Sequence, residues 1–328
     1  MRFLLTDEQR EFARSLDALL TAADVPSAVR AWAAGDHAPG LALWRRAAEA
    51  GVFALAVPEA YRGVGPLPVE TAVACVELGR RGVPGPVVES LAAGVLLGSV
   101  GGAAAKEWLP GIAAGTEVVS LAVAGYGPYA LDADAAGAVF VVAGDELRVV
   151  RGPGEPVPSL DPARRLFRPA EGGEVVASGA RVREAARAAA AWATFATAAQ
   201  ALGCGEALLR ATVAYVKQRT QFGVPVGSFQ AVKHRLADTL LGLEFARPLL
   251  YGAAVELAGD APGAGAAVAA AKVAAGEAAY AAARTALQLH GAVGYTEELD
   301  LAWWLRRARP LRDAWGTPSV CRARVLAG

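Results

Sequence analysis

Apolar positions recur along this chain with a helical period at both ends and lose it in the middle. From Leu5 they return every three or four residues (Phe12, Leu16, Leu19, Leu20), as in a helix with one buried face. Thr6, with Gln9 three residues later, predicts an N-cap and capping box at its start. A second helix is predicted from near Leu41 to Gly51, a third over 68–80, a fourth over 87–98 and a short fifth over 106–112. Between the second and third, Val52–Phe53–Ala54–Leu55–Ala56–Val57 reads as an extended apolar segment before a glycine-rich turn. From Glu117 the pattern becomes strand-like. Segments 118–123, 138–143 and 146–150 are valine-rich and separated by turns such as Gly144–Asp145, with Leu160–Asp161–Pro162 and Val175–Val176 as candidate edges. This region ends near Arg181 and is too small to bury two faces alone, so it should lean on the flanking helices.

Helical periodicity returns over 182–217, an alanine-rich run with a bend predicted near Gly203–Gly205. It continues over 230–257, where Pro248 should kink the helix or shift its end, over 264–289 and over 299–309. Four such helices make an antiparallel bundle. The expected fold is α+β and mainly α: a helical N-terminal domain over 1–116, a small β domain over 117–182 and a C-terminal four-helix bundle over 183–328.

Composition narrows the function. Lys+Arg and Asp+Glu are both 32, and this balance argues against nucleic acid or an anionic membrane as the main partner. Cys75, Cys204 and Cys321 stand far apart without metal spacing, which reads as buried thiols in a reducing compartment. The stretch Met1–Glu8 turns acidic too soon for a signal peptide, and the apolar run 264–283 contains Lys272 and Glu277 and reads as a core helix rather than a membrane span. The expectation is a cytoplasmic protein with no metal.

The segment Arg219–Thr220–Gln221–Phe222–Gly223, running on to Gln230, breaks helix with Gly223, Pro225, Gly227 and Ser228 between two long helices. It displays a guanidinium, an aromatic face and amides together, the groups that hold a flat, phosphate-bearing ligand. A second segment at a helix end is Gln288–Leu289–His290–Gly291–Ala292–Val293–Gly294–Tyr295–Thr296. His290 lacks a carboxylate or nucleophile at triad spacing, and reads as a capping or packing residue.

With these pieces in order, the chain resembles the acyl-CoA dehydrogenase family of flavoproteins over nearly its whole length. The most specific pieces are Arg219–Thr220–Gln221–Phe222–Gly223 with Gln230, and 288–296; the segment from Ala50 to Glu59 with Tyr61 and Gly63, and the segment from Glu89 to Gly94, fit as well. The resemblance implies an FAD site shared between subunits and an acyl-CoA substrate. The flavin ring would lie against the β domain of one subunit, and the pyrophosphate and adenine end would be gripped by the neighbour through Arg219, Phe222, Gln230, Gln288, Gly291 and Ala292. Ala292 stands where the family usually has a second Gly, and Thr317 belongs to a further cofactor-contacting motif.

The same resemblance exposes two departures. The family's catalytic Glu lies in a Tyr-Glu-Gly-Thr motif that appears here as Ala314–Trp315–Gly316–Thr317, so Trp315 holds the base position. An indole cannot take up the proton. The family's alternative base location, on the first long helix of the C-terminal domain, falls on Ala193, followed by Thr194. The flavin-contacting Thr-Glu-Pro loop is replaced by Ala124–Gly125–Tyr126–Gly127–Pro128–Tyr129. The leading expectation is a subunit that supplies half of the FAD site of a full-length homologue, as in actinobacterial heteromeric enzymes that degrade sterols. One alternative is an active homo-oligomer with a displaced base, for which Asp313 is the candidate, with Glu297 and Glu298 behind it. The other is a flavin-free scaffold or tailoring homologue.

Overall fold

The computed structural model describes residues 4–327; the Met1–Phe3 end of the stretch read against a signal peptide lies outside them. Six helices come first: α1 (Asp7–Thr21), α2 (Val25–Ala33), α3 (Ala38–Glu49), α4 (Pro68–Arg81), α5 (Val87–Val100) and α6 (Gly102–Ala113). The capping box at α1 is present in both directions, Gln9 N to Thr6 Oγ1 at 3.2 Å and Thr6 N to Gln9 Oε1 at 3.0 Å. Two expectations fail in this region. Helix α2 was not foreseen, although Asp24 caps it and Pro26 sits in its first turn. The stretch predicted as extended contains a 3-10 turn over Phe53–Ala56. Val52, Phe53, Leu55, Ala56 and Val57 are all buried, and a short run buried on every side has no period that separates strand from helix.

Seven strands follow: β1 (Val119–Val123), β2 (Ala130–Leu131), β3 (Ala138–Ala143), β4 (Glu146–Val150), β5 (Glu155–Val157), β6 (Leu166–Arg168) and β7 (Glu174–Ser178). They form a sheet ordered β1-β3-β4-β7, with β1 parallel to β3 and the other pairs antiparallel, and a small sheet ordered β2-β6-β5. Val175–Val176 is an edge as expected, whereas Leu160–Asp161–Pro162 is a loop.

That loop is held by charge. Buried Asp161 accepts from Arg307 Nε at 2.7 Å, and the Arg307 guanidinium donates on to the Gly82 carbonyl at 2.6 Å, beyond the end of α4. A second buried carboxylate, Asp132, accepts from Trp32 Nε1 of α2 at 3.1 Å and from the Arg165 backbone N–H at 2.9 Å. Ser90 of α5 donates to the Val119 carbonyl at 2.6 Å and fixes the start of β1. The β region therefore leans on the helices through apolar packing and a few buried polar clasps.

The remainder comprises α7 (Ala180–Gln218), a hairpin of β8 (Thr220–Gln221) and β9 (Val224–Pro225), α8 (Gln230–Ala258), α9 (Ala264–His290), α10 (Leu301–Asp313) and α11 (Pro318–Ala327). Helix α7 runs unbroken through Gly203 and Gly205. These glycines serve close packing: a Cβ at 203 would meet the Val76 carbonyl of α4 at 2.0 Å, and one at 205 would meet Leu243 of α8 at 2.5 Å. Helix α8 likewise continues past Pro248. Among the described residues no helix is long and apolar enough to cross a membrane.

Candidate functional site

The residues singled out in the sequence gather at two places along α7. The first is its C-terminal end. Arg219 follows the last turn in extended conformation, exposed. Phe222 and Gly223 form the hairpin turn with φ of +53° and +79°. Left-handed backbone is costly for a bulky side chain, yet the Phe222 ring is 92% exposed and buries nothing that would offset it. Phe229 packs edge-on against it at 6.2 Å between ring centroids, and exposed Gln230 opens α8.

The end of α9 is tied to the same place. Tyr215, one turn before Arg219, stacks on His290 at 4.1 Å and donates to the His290 carbonyl at 3.3 Å. His290 Nδ1 lies 2.8 Å from the Ala286 carbonyl, so that nitrogen carries the proton. Burial holds its pKa below the ordinary value, and the ring is a structural pin. Gln288, Gly291 and Ala292 around it are exposed. Gly291 has φ of +65° with nothing near its absent Cβ, so conformation rather than space calls for glycine. Arg219, Phe222, Gln230, Gln288, Gly291 and Ala292 thus belong to one end of the bundle.

The second place lies further back on α7. Thr194 Oγ1 donates to the Trp315 carbonyl at 2.7 Å, so Ala193 just before it, the second location that the resemblance gives for a catalytic base, comes close to the first. Neither carries a carboxylate. Trp315 sits between α10 and α11 at φ +54°, nearly buried. Its loop is held by Lys272 of α9, whose Nζ donates to the carbonyls of Arg312 at 2.7 Å and Gly316 at 3.2 Å. Burial lowers the Lys272 pKa to about 8. Thr317 caps α11 through its hydroxyl and so lies with Trp315, not with the Arg219 group.

Sequence reasoning missed the carboxylate that is present. Glu89 of α5, 3% exposed, accepts from Trp315 Nε1 at 2.9 Å; its other oxygen has no hydrogen-bond partner among the described residues. Burial raises its pKa, opposed by the positive charge of Arg164 and the indole N–H. The available signal was one acidic residue inside Val87–Val88–Glu89–Ser90–Leu91–Ala92–Ala93, a run too apolar to leave a charge facing water. Glu89 and Trp315 line a cavity of about 540 Å³ that also takes in Tyr126, Tyr129 and Arg164. Tyr126 lies 5.8 Å from Trp315 between rings, with the Arg324 guanidinium over its face at 4.7 Å. Asp313 is at the cavity's edge, partly exposed, 3.6 Å from Arg312 and 4.0 Å from Arg309. Glu297 pairs with Arg306 at 2.6 Å.

An N-terminal helical unit, a small two-sheet region and a long-helix bundle, with a short hairpin between its first two helices, define an acyl-CoA dehydrogenase fold, and comparison with known proteins agrees. The family model for the acyl-CoA dehydrogenase N-terminal domain matches residues 6–116, and that for the C-terminal domain matches residues 183–328. The chain is 35% identical over 308 residues to acyl-CoA dehydrogenase IpdE2 of Mycobacterium tuberculosis, taking in 92% of this chain and 91% of that protein. It belongs to the acyl-CoA dehydrogenase family. Among solved structures it is similar to the Tcur3481–Tcur3483 steroid ACAD, with a TM-score of 0.84 and 25% identity over 98% of this chain and 97% of that one. It is also similar to the ChsE4–ChsE5 complex from Mycobacterium tuberculosis, with a TM-score of 0.81 and 23% identity over 100% and 98%.

Proposed function

We propose that this chain is a subunit of an FAD-dependent acyl-CoA dehydrogenase that desaturates an acyl-CoA thioester, and that it supplies Arg219, Phe222, Gln230 and Gln288 to a flavin seated in a neighbouring, full-length chain of the family. One observation carries this reading. Thr194, which touches the Trp315 loop, and Arg219 lie 25 residues apart on the continuous helix α7. That is about 37 Å at the helical rise of 1.5 Å per residue. The gripping residues therefore lie at the far end of α7 from this chain's own ring-side cavity, exposed where a neighbouring chain can dock.

The donor set at the hairpin fits FAD. Arg219 is free to bridge phosphate oxygens, the Phe222 ring is displayed for stacking, and the two glutamines offer amide edges. The ring-side cavity fits it poorly, because Tyr126 and Trp315 stand where the resemblance expects polar flavin contacts and the base. Held by Arg219, Phe222, Gln230 and Gln288, FAD would supply the hydride acceptor that desaturation of the thioester requires. This chain's part is to bind and orient the cofactor, while the base comes from the neighbour. Helix α8 presents Leu241, Phe245 and Leu249 at four-residue spacing on an exposed face, and Phe245 is 71% exposed, a surface suited to a second chain. The ChsE4–ChsE5 pair is a complex of the same fold.

The test is co-purification with a co-encoded full-length homologue. A charge-assisted hydrogen bond contributes roughly 1.5–3 kcal/mol, so Arg219→Ala should weaken FAD binding by the complex roughly 10- to 100-fold without altering the fold of this chain. Stoichiometric FAD and thioester oxidation by this chain alone would sink the reading.

A further inference from the structure

The ring-side cavity retains two features that a mere relic would not need. One is Glu89, a lining residue 3% exposed, whose second carboxyl oxygen is enclosed with no hydrogen-bond partner among the described residues. The other is Arg164, partly buried, whose guanidinium has no hydrogen bond or ion pair among the described residues. Its position is fixed from behind: the Arg164 N–H donates to the Asp161 carbonyl at 2.9 Å, and Asp161 is clasped by Arg307 at 2.7 Å. The other charged groups lining the cavity, Arg309 and Asp313, offset each other at 4.0 Å. Burial raises the Glu89 pKa, which weakens its claim on Arg164, and the guanidinium is left as the unmatched positive charge of the lining among the described residues. The rest of the lining is largely apolar and includes Leu131, Leu166, Tyr129 and the exposed Leu160. Its volume of about 540 Å³ suits a small molecule.

We propose that this cavity binds an apolar carboxylate, the acid group held by the Arg164 guanidinium and the hydrocarbon body lying against Leu131, Leu160 and Leu166. Guanidinium and carboxylate match in plane and charge, and a guanidinium set in a largely apolar lining gains most from such a partner. This site is independent of the hairpin, so its fate and that of the FAD-sharing role are separable.

Calorimetric titration of the full chain with octanoate and with octanol tests it. Octanoate should bind at least tenfold more tightly than octanol. Arg164→Leu should abolish that preference while leaving octanol binding in place, Glu89→Gln, which cannot ionise, should retain it, and Arg219→Ala should not affect it. Suberyl-CoA against octanoyl-CoA repeats the comparison for a carboxylate carried on a thioester. Acid preference in either pair, lost in Arg164→Leu, supports the site and assigns the source. Equal binding of acid and neutral partner in both pairs overturns it, as does an acid preference untouched by Arg164→Leu. The first of these comparisons needs no variant, so it stands even where a substitution fails to fold.

Discussion

Replacing Asp132 by Asn should make the protein more stable at pH 8 and leave it little changed in acid. Asp132 is fully buried, and its Oδ1 accepts from Trp32 and from the Arg165 backbone while Oδ2 has no partner among the described residues. Burial pushes its pKa from 3.8 up to about 7, against the pull of those two hydrogen bonds. The folded chain therefore holds a proton that the unfolded chain has lost between pH 3.8 and 7, so stability falls as pH rises across that window. At 1.36 kcal/mol per pH unit the loss totals about 4 kcal/mol, of which roughly 2–3 kcal/mol falls between pH 5 and pH 8. Asn keeps the accepting oxygen, cannot ionise and tolerates the left-handed φ of +50° at this position. Its amide faces the same unpartnered space as the protonated carboxyl, so the two chains should be close in stability at low pH. Urea titrations of both chains at pH 5, 6.5 and 8 measure this. The gap should widen in favour of Asn by roughly 2–3 kcal/mol from pH 5 to pH 8. Stabilities that run parallel over that range would refute the argument, since Asp132 would then ionise as it does in the unfolded chain.

Other expectations follow from the same packing. Lys272, with its pKa lowered from 10.5 to about 8, releases its proton in the folded chain first, so stability should rise with pH between 8 and 10.5. Lys272→Met should remove up to about 3 kcal/mol of that rise in denaturant titrations. Gly203→Ala would drive a methyl into the Val76 carbonyl of α4 and should cost about 2 kcal/mol or more despite better helix propensity. Gly265→Ala, with open space at the start of α9, should be neutral or stabilising by up to about 1 kcal/mol in the same melts. Trp315→Glu should not confer thioester oxidation on this chain. It would set two carboxyls side by side with Glu89, so that one stays protonated and thermal stability falls as pH rises.

The periodic, local features were legible in the sequence. The capping box at α1, the valine-rich strands and the four long helices follow from spacing within a few residues. What failed was local pattern whose meaning is set from afar. Gly203 and Gly205 looked like a bend because glycine weakens a helix, but their missing side chains are space that α4 and α8 occupy. The run 52–57 looked extended because burial on all sides erases the period. The hairpin residues and the 288–292 segment were recognisable as a group only through resemblance; the contact that unites them, Tyr215 on His290, spans 75 residues and leaves no mark in either segment.

The Trp315–Glu89 hydrogen bond, which spans 226 residues, lies further still from what one-dimensional reading offers, and it gives Trp315 a structural part of its own. A buried indole N–H needs an acceptor wherever it sits. Here the N–H meets a buried carboxylate, the carboxylate is left with one free oxygen, and the loop that carries Trp315 is fastened by Lys272 and Thr194 at left-handed φ. Each of these is costly alone: a buried acid, a buried lysine, a strained bulky residue. Together they fix the Trp315 loop and indole on the wall of a cavity that also takes in Arg164. The position is thus fastened from three helices at once, by Glu89 of α5, Thr194 of α7 and Lys272 of α9, and the shape of the cavity beside it depends on all three contacts.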